Sequence, residues 1–112
     1  MKRMAKPGAI VVVDFPGAQG IKRRPSVVVS SELYHQHRPD VVIGLLTSQT
    51  AAATSPTDYL LEDWQSAGLQ KPSAFRSFLV TLPRTSITAN IGQLSERDRQ
   101  AIESRLRAAL IG

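Results

Sequence analysis

Three β-branched runs constrain this chain more than any other feature: I-V-V-V at residues 10–13, V-V-V at 27–29 and V-V-I-G-L-L at 41–46. Side chains branched at Cβ lose rotamer freedom in a helix and sit well on a pleated sheet, so runs of this length predict strands. Pro, Gly and Ser fence them, with P-G at 7–8 and 16–17, S-S at 30–31 and T-S-Q at 47–49. The expected strands are 10–13, closing at Asp14-Phe15, then 26–31, then 41–46, the last apolar enough to be buried on both faces. Residues 74–82 predict a further long strand, carrying Phe75, Phe78 and Val80 and stopped by Pro83, and Tyr59-Leu60-Leu61 begins a short one. Residues 33–40 read as a loop or helical turn, 50–57 as a flexible surface loop, and 62–68, with Trp64, as a short helix ending at Gly68. Ile87, Ile91 and Leu94, spaced by four and three, predict one face of another short helix. The last helix has the strongest signal. Ser95-Glu96-Arg97-Asp98 has the form of a capping box, and Ile102, Leu106, Ala109 and Leu110 fall on one stripe with Arg99, Glu103, Arg105 and Arg107 off it. The expected fold is mainly β: one domain over residues 1–112, a small, strongly bent antiparallel sheet or barrel closed by a helix.

Charge narrows the partners. Fourteen Lys and Arg against nine Asp and Glu give a net charge of +5, and six of those cations precede residue 25, so a polyanion is drawn to that end first. No cysteine is present, which excludes disulfides and thiolate chemistry and fits a reducing cytoplasm. The basic start, M-K-R-M-A-K-P-G, leads to an apolar run of only residues 9–13, too short for a signal core or a membrane span. The six aromatic residues are scattered, and no platform for stacking bases is expected.

The candidate chemistry gathers in G-A-Q-G-I-K-R-R-P-S-V-V-V-S-S, residues 17–31. This stretch reads as a glycine-bracketed loop that delivers Lys22, Arg23 and Arg24 to a strand. Pro25 forces Arg24 into an extended conformation, and a planar, forked guanidinium suits a phosphate better than an ammonium does. The residues alone leave open a solvated basic loop. Thr47 and Ser48, at the end of a strand, offer hydroxyls either to turn amides or to a phosphate. His35 and His37 form an H-x-H without cysteine or an acidic cluster beside it, so exposed loop histidines are expected and no metal site. Asp14 is expected to cap a turn, and Ser26 and Ser30 lack the partners of a serine hydrolase.

In order along the chain, G-A-I-V-V-V-D-F-P-G from Gly8, R-P-S-V-V-V-S from Arg24, L-L-T-S-Q from Leu45, K-P-S-A-F-R from Lys71 and I-G-Q-L-S from Ile91 resemble the MazF/PemK (Kid) toxins of bacterial toxin-antitoxin pairs. The resemblance covers nearly the whole chain. It implies an SH3-like barrel with a C-terminal helix, a homodimer, a cognate antitoxin partner, and sequence-selective cleavage of single-stranded RNA without metal or cofactor. Arg24 and Thr47 match the family's catalytic arginine and threonine, and Gln19, Lys22, Arg23, Ser48, Gln49 and Arg76 are the expected RNA contacts. Two departures stand out. Many members carry an acidic residue before the R-P, where this chain has Ala18-Gln19-Gly20, and an arginine-aspartate pair where it reads L-V-T-L at 79–82. Arg76 and Arg84 are nearby substitutes for the arginine. The loss leaves the general base open, and with it a second reading: a non-catalytic barrel that binds nucleic acid or, like the related gyrase poisons, a protein target.

Overall fold

A computed structural model describes residues 5–17 and 20–112. In chain order these form β1 (Ala9–Gly17), β2 (Gly20–Val28), α1 (Glu32–His37), β3 (Asp40–Thr47), β4 (Tyr59–Leu60), β5 (Ala74–Pro83), β6 (Ile87–Gln93) and α2 (Glu96–Leu110). The strands make one six-stranded sheet in the order β4-β5-β3-β2-β1-β6, with antiparallel neighbours throughout. Three inter-strand steps separate β5 from β1, about 14 Å in a flat sheet. Phe78 of β5 and Phe15 of β1 nevertheless meet with ring centroids 6.4 Å apart, because the sheet curls into a half-barrel.

Alternation along the strands divides the core in two. Val11, Val13, Val28, Val41, Ile43, Leu82 and Ile87 fill one cluster, inside the curl. Ile10, Val27, Leu46, Phe75, Leu94 and Ile102 form the other, under α2 and the 61–69 segment. β3 therefore buries side chains on both faces, as its unbroken apolar run predicts. The α2 stripe reaches the core only at Ile102 and, in part, Leu106; Leu110 is 65% exposed.

Several local expectations are corrected. Lys22, Arg23 and Arg24 lie within a strand, because β1 and β2 stay paired out to Gly17 opposite Gly20. Pro25 is tolerated there since β3 pairs β2 only over residues 26–28, which leaves one side of the strand open at the proline. Residues 87–93, expected as part of a short helix, run as β6, with Leu94 just beyond it. Two irregularities in the β1–β6 register break its alternation, so its apolar spacing imitates a helix. Residues 62–68 form a chain of turns rather than a helix. The 50–57 loop is ordered by a 3-10 turn, Thr50–Ala52, and by Asp58, whose carboxylate accepts from Ser55 N at 3.1 Å. His35, expected on an exposed loop, is buried on α1 with Nε2 2.6 Å from Ser30 Oγ, while His37 is exposed. No helix among the described residues is long and apolar enough to cross a membrane.

The turn at 67–68 crosses β6 so closely that a Cβ on Gly92 would sit 1.9 Å from the Ala67 carbonyl oxygen, and one on Gly68 2.0 Å from that of Ile91. Gly68 also has φ +92, a conformation that other residues rarely adopt. Gly92→Ala is expected to destabilise by about 3 kcal/mol, since backbone must part to admit one methyl group; a denaturant midpoint shift measures it.

Candidate functional site

Beside the middle of β2 and the end of β3 lies a pocket of about 610 Å³. β2 brings Arg24 to it, the last residue of β3 brings Thr47, and Ser48 and Gln49 follow on the turn. Leu69, Gln70, Lys71 and Ser73 form the opposite wall, over Val12, Pro25, Leu46 and Ile91. Four of the residues expected from sequence therefore converge: Arg24, Thr47, Ser48 and Gln49.

The geometry of each follows from its surroundings. Arg24 stands opposite Val13 and is exposed to solvent. Thr47 Oγ1 accepts a hydrogen bond from Gln49 N at 3.1 Å, so its hydroxyl shapes the turn and can still donate. Lys71, which sequence reasoning did not single out, adds a second cation. Buried Ser73 donates to the Lys71 carbonyl at 2.9 Å and fixes the backbone there. In the sequence Lys71 is a lone lysine between Gln70 and Pro72, and only the return of the 69–73 segment to Arg24 and the end of β3 gives it meaning.

The other expected contacts lie elsewhere. Lys22 is exposed farther along β2, opposite Phe15, and Arg23 is bound to Asp14 by its Nε at 3.2 Å, which also takes Asp14 away from the turn-capping role expected of it. Arg76 pairs at 3.9 Å with the buried Asp58 carboxylate. Arg84 donates to the carbonyl oxygens of His35 and Arg38, at the end of α1. Gln19 lies outside the described residues. Among the described residues, neither a carboxylate nor a histidine lines the Arg24–Thr47 pocket. Among the described residues no three metal-ligating side chains gather.

Behind the pocket's far wall, α2 holds the 59–63 segment. Ser95 Oγ caps the helix by accepting from Asp98 N at 3.2 Å, half of the expected box. Instead of reaching back to Ser95 N, the fully buried Asp98 carboxylate accepts from Tyr59 OH at 2.6 Å, Glu62 N at 3.1 Å and Asp63 N at 2.9 Å. Burial first and then the Asp98 bond push the Tyr59 pKa up. Arg97 and Ser95, bonded to Asp63, hold that carboxyl down at about 2.

Known proteins resemble this chain in sequence and in fold. Residues 6–110 match the family model of the PemK-like, MazF-like toxins of type II toxin-antitoxin systems. Endoribonuclease MazF2 of Mycobacterium bovis and Endoribonuclease MazF6 of Mycobacterium tuberculosis are each 30% identical over 96 residues, 84% of this chain and 83% of theirs. Among solved structures, an endoribonuclease in complex with its cognate antitoxin from a mycobacterial species superposes with a TM-score of 0.78 at 23% identity, over 94% of this chain and 93% of that one. A MazE-MazF structure from Deinococcus radiodurans superposes with 0.77 at 16% identity, over 96% and 97%. At these identities the superpositions speak for the fold.

Proposed function

We propose that this chain, which belongs to the PemK-like, MazF-like toxins of type II toxin-antitoxin systems, is a metal-independent endoribonuclease acting on single-stranded RNA. The observation that carries the reading is the convergence of Arg24, Thr47 and Lys71 on one open pocket free of carboxylates. Cleavage of RNA by its own 2'-hydroxyl forms a bond from that oxygen to phosphorus and breaks the bond to the 5'-oxygen, leaving a 2',3'-cyclic phosphate and a 5'-hydroxyl. Negative charge builds on the phosphorane between the two steps. Arg24 and Lys71 stabilise that charge, and the Thr47 hydroxyl, held by Gln49 N, orients the 2'-hydroxyl or a phosphate oxygen. Ser48 and Gln49 bind the adjoining nucleotide, while Lys22, Arg23 and Arg76 draw in the backbone from outside the pocket. With no side chain among the described residues placed as a general base, the 2'-hydroxyl proton passes to solvent and the 5'-oxygen takes one from water.

The chain works as a single domain and a cytoplasmic homodimer. A cognate antitoxin holds it inactive, with an acidic, partly apolar tail that covers the same cations as the RNA.

Incubating the purified chain with a mixed RNA in EDTA, and mapping the ends, tests the reading. Cyclic-phosphate and 5'-hydroxyl ends at a recurring site are expected; a requirement for a divalent cation overturns it. RNA bound but left intact favours the non-catalytic barrel, the reading that a pocket without a base would also fit. The cleavage rate is expected to rise with pH through neutrality with no inflection near 6–7, the range in which a histidine would titrate. A bell-shaped profile would mean that a base enters the pocket from another chain.

A further inference from the structure

Phe78 belongs to a β-strand and yet faces water, and we propose that it is a stacking platform for one unpaired base of the RNA substrate. The inference rests on the ribonuclease reading above and deepens it. Phe78 is 56% exposed, whereas Phe75 and Leu82 of the same strand are 0% and 8%. The cause is a break in register. Leu46 pairs with Phe75 and Gly44 with Leu79, so three residues of β5, 76–78, face the single residue 45 of β3. Ser77 at the centre of this bulge has φ +54, an unfavourable backbone for a serine, and its hydroxyl donates to the Thr57 carbonyl and pins the distortion. A bulge held in strain is a device for re-aiming a side chain. Here the two extra residues keep Phe78 on the face of Val80 and Leu82 but carry it beyond the Ile43–Val80 pair, where it is exposed.

The exposed ring has support on one side and cations around it. Phe15 meets Phe78 edge to face at 76°, which steadies the ring and leaves aromatic surface free. Phe15 stands opposite Lys22 across β1 and β2, and Val13 opposite Arg24; opposite residues of an antiparallel pair share a face. The aromatic pair thus lies on the face that carries Lys22 and Arg24, with Arg76 on the bulge itself. The one carboxylate at this end of the ribbon, Asp14, is neutralised by Arg23. An exposed ring among cations that bind phosphate matches a single-stranded nucleotide, whose base stacks while its phosphate pairs. Sequence could not show this, since Phe15 and Phe78 stand 63 positions apart and meet only when the sheet curls.

The test uses the full chain and an RNA oligonucleotide spanning its mapped cleavage site, made uncleavable by one 2'-deoxy sugar. Phe78→Ala is expected to weaken binding roughly ten- to a hundredfold, with the loss of cleavage sitting in KM rather than kcat. Phe78→Leu should fall with it and Phe78→Trp should bind like the wild type, its added indole fluorescence quenched by RNA. One abasic position in the oligonucleotide should weaken the wild type and have no further effect on Phe78→Ala. Wild-type affinity in Phe78→Ala or Phe78→Leu overturns the proposal, and so does altered sedimentation of Phe78→Ala, which would make this face an interface between copies. If the wild type cleaves RNA and the variants match it, only the platform is lost; if the wild type neither binds nor cleaves RNA, both readings fall.

Discussion

Arg24→Ala is expected to lower cleavage by about 10²- to 10³-fold with the fold intact, the loss seen when one group that stabilises a transition-state charge is removed. Arg24 is exposed midway along β2, so its truncation opens no cavity and orphans no buried partner. Arg24→Lys should recover only part of the rate, because an ammonium cannot donate in a fork to two phosphate oxygens. Lys22→Ala, outside the pocket, should weaken binding a few-fold and flatten its dependence on salt. Thr47→Ala should lie between the two. Its hydroxyl also caps the Gln49 amide, so Thr47→Ser separates the roles by keeping the oxygen. Single-turnover rates of these variants on one RNA, with circular dichroism as a control for folding, are the measurement. Equal rates for Arg24→Ala and Lys22→Ala would remove Arg24 from the catalytic set, and a wild-type rate for Thr47→Ala would leave Thr47 a turn residue.

The largest effect on stability is expected at Asp98. Its carboxylate, with no exposed surface, is the shared acceptor for Tyr59 OH and the amides of Glu62 and Asp63. Asp98→Ala strands three donors at once, at a cost of about 3–5 kcal/mol. For a domain of this size, with a total stability on the order of 5–15 kcal/mol, that is a large share. Tyr59→Phe removes one of the three bonds and should cost about 1–2 kcal/mol alone, and much less in the Asp98→Ala background. Denaturant unfolding of the two single variants and the double variant checks the coupling; additive losses would mean that Asp98 does not hold the 59–63 segment. The neighbouring Asp63 sets an acid limit. Its pKa, near 3.8 ordinarily and about 2 when folded, adds stability that is complete above about pH 4 and is lost as pH falls toward 2. Asp63→Asn should remove that part of the acid transition.

Elements whose cause is local were legible in the sequence. β1, β3 and β5 follow from β-branched and aromatic runs stopped by Pro and Gly, and α2 follows from its Ser95 cap and the stripe through Ile102 and Leu106. Arg24 and Thr47 were picked out by motifs that resemble those of the MazF/PemK toxins, and the structure puts both beside one pocket. The misreadings share a different cause. β6 imitates a helix because its bulges against β1 change which residues face the core, and nothing within the segment encodes its partner's register. His35 is buried because α1 folds it onto Ser30, and Asp98 leaves its capping box because three donors from another segment compete for its oxygens. By itself the sequence determined the strand-rich class, the closing helix and the positive end, since propensity, capping and net charge act over a few neighbours. Only the tertiary structure decided that Lys71 joins Arg24, that Arg76 turns to Asp58 and that Phe15 and Phe78 meet. Those contacts depend on how far the sheet curls and where its register slips, and both are set by packing between segments remote in the chain.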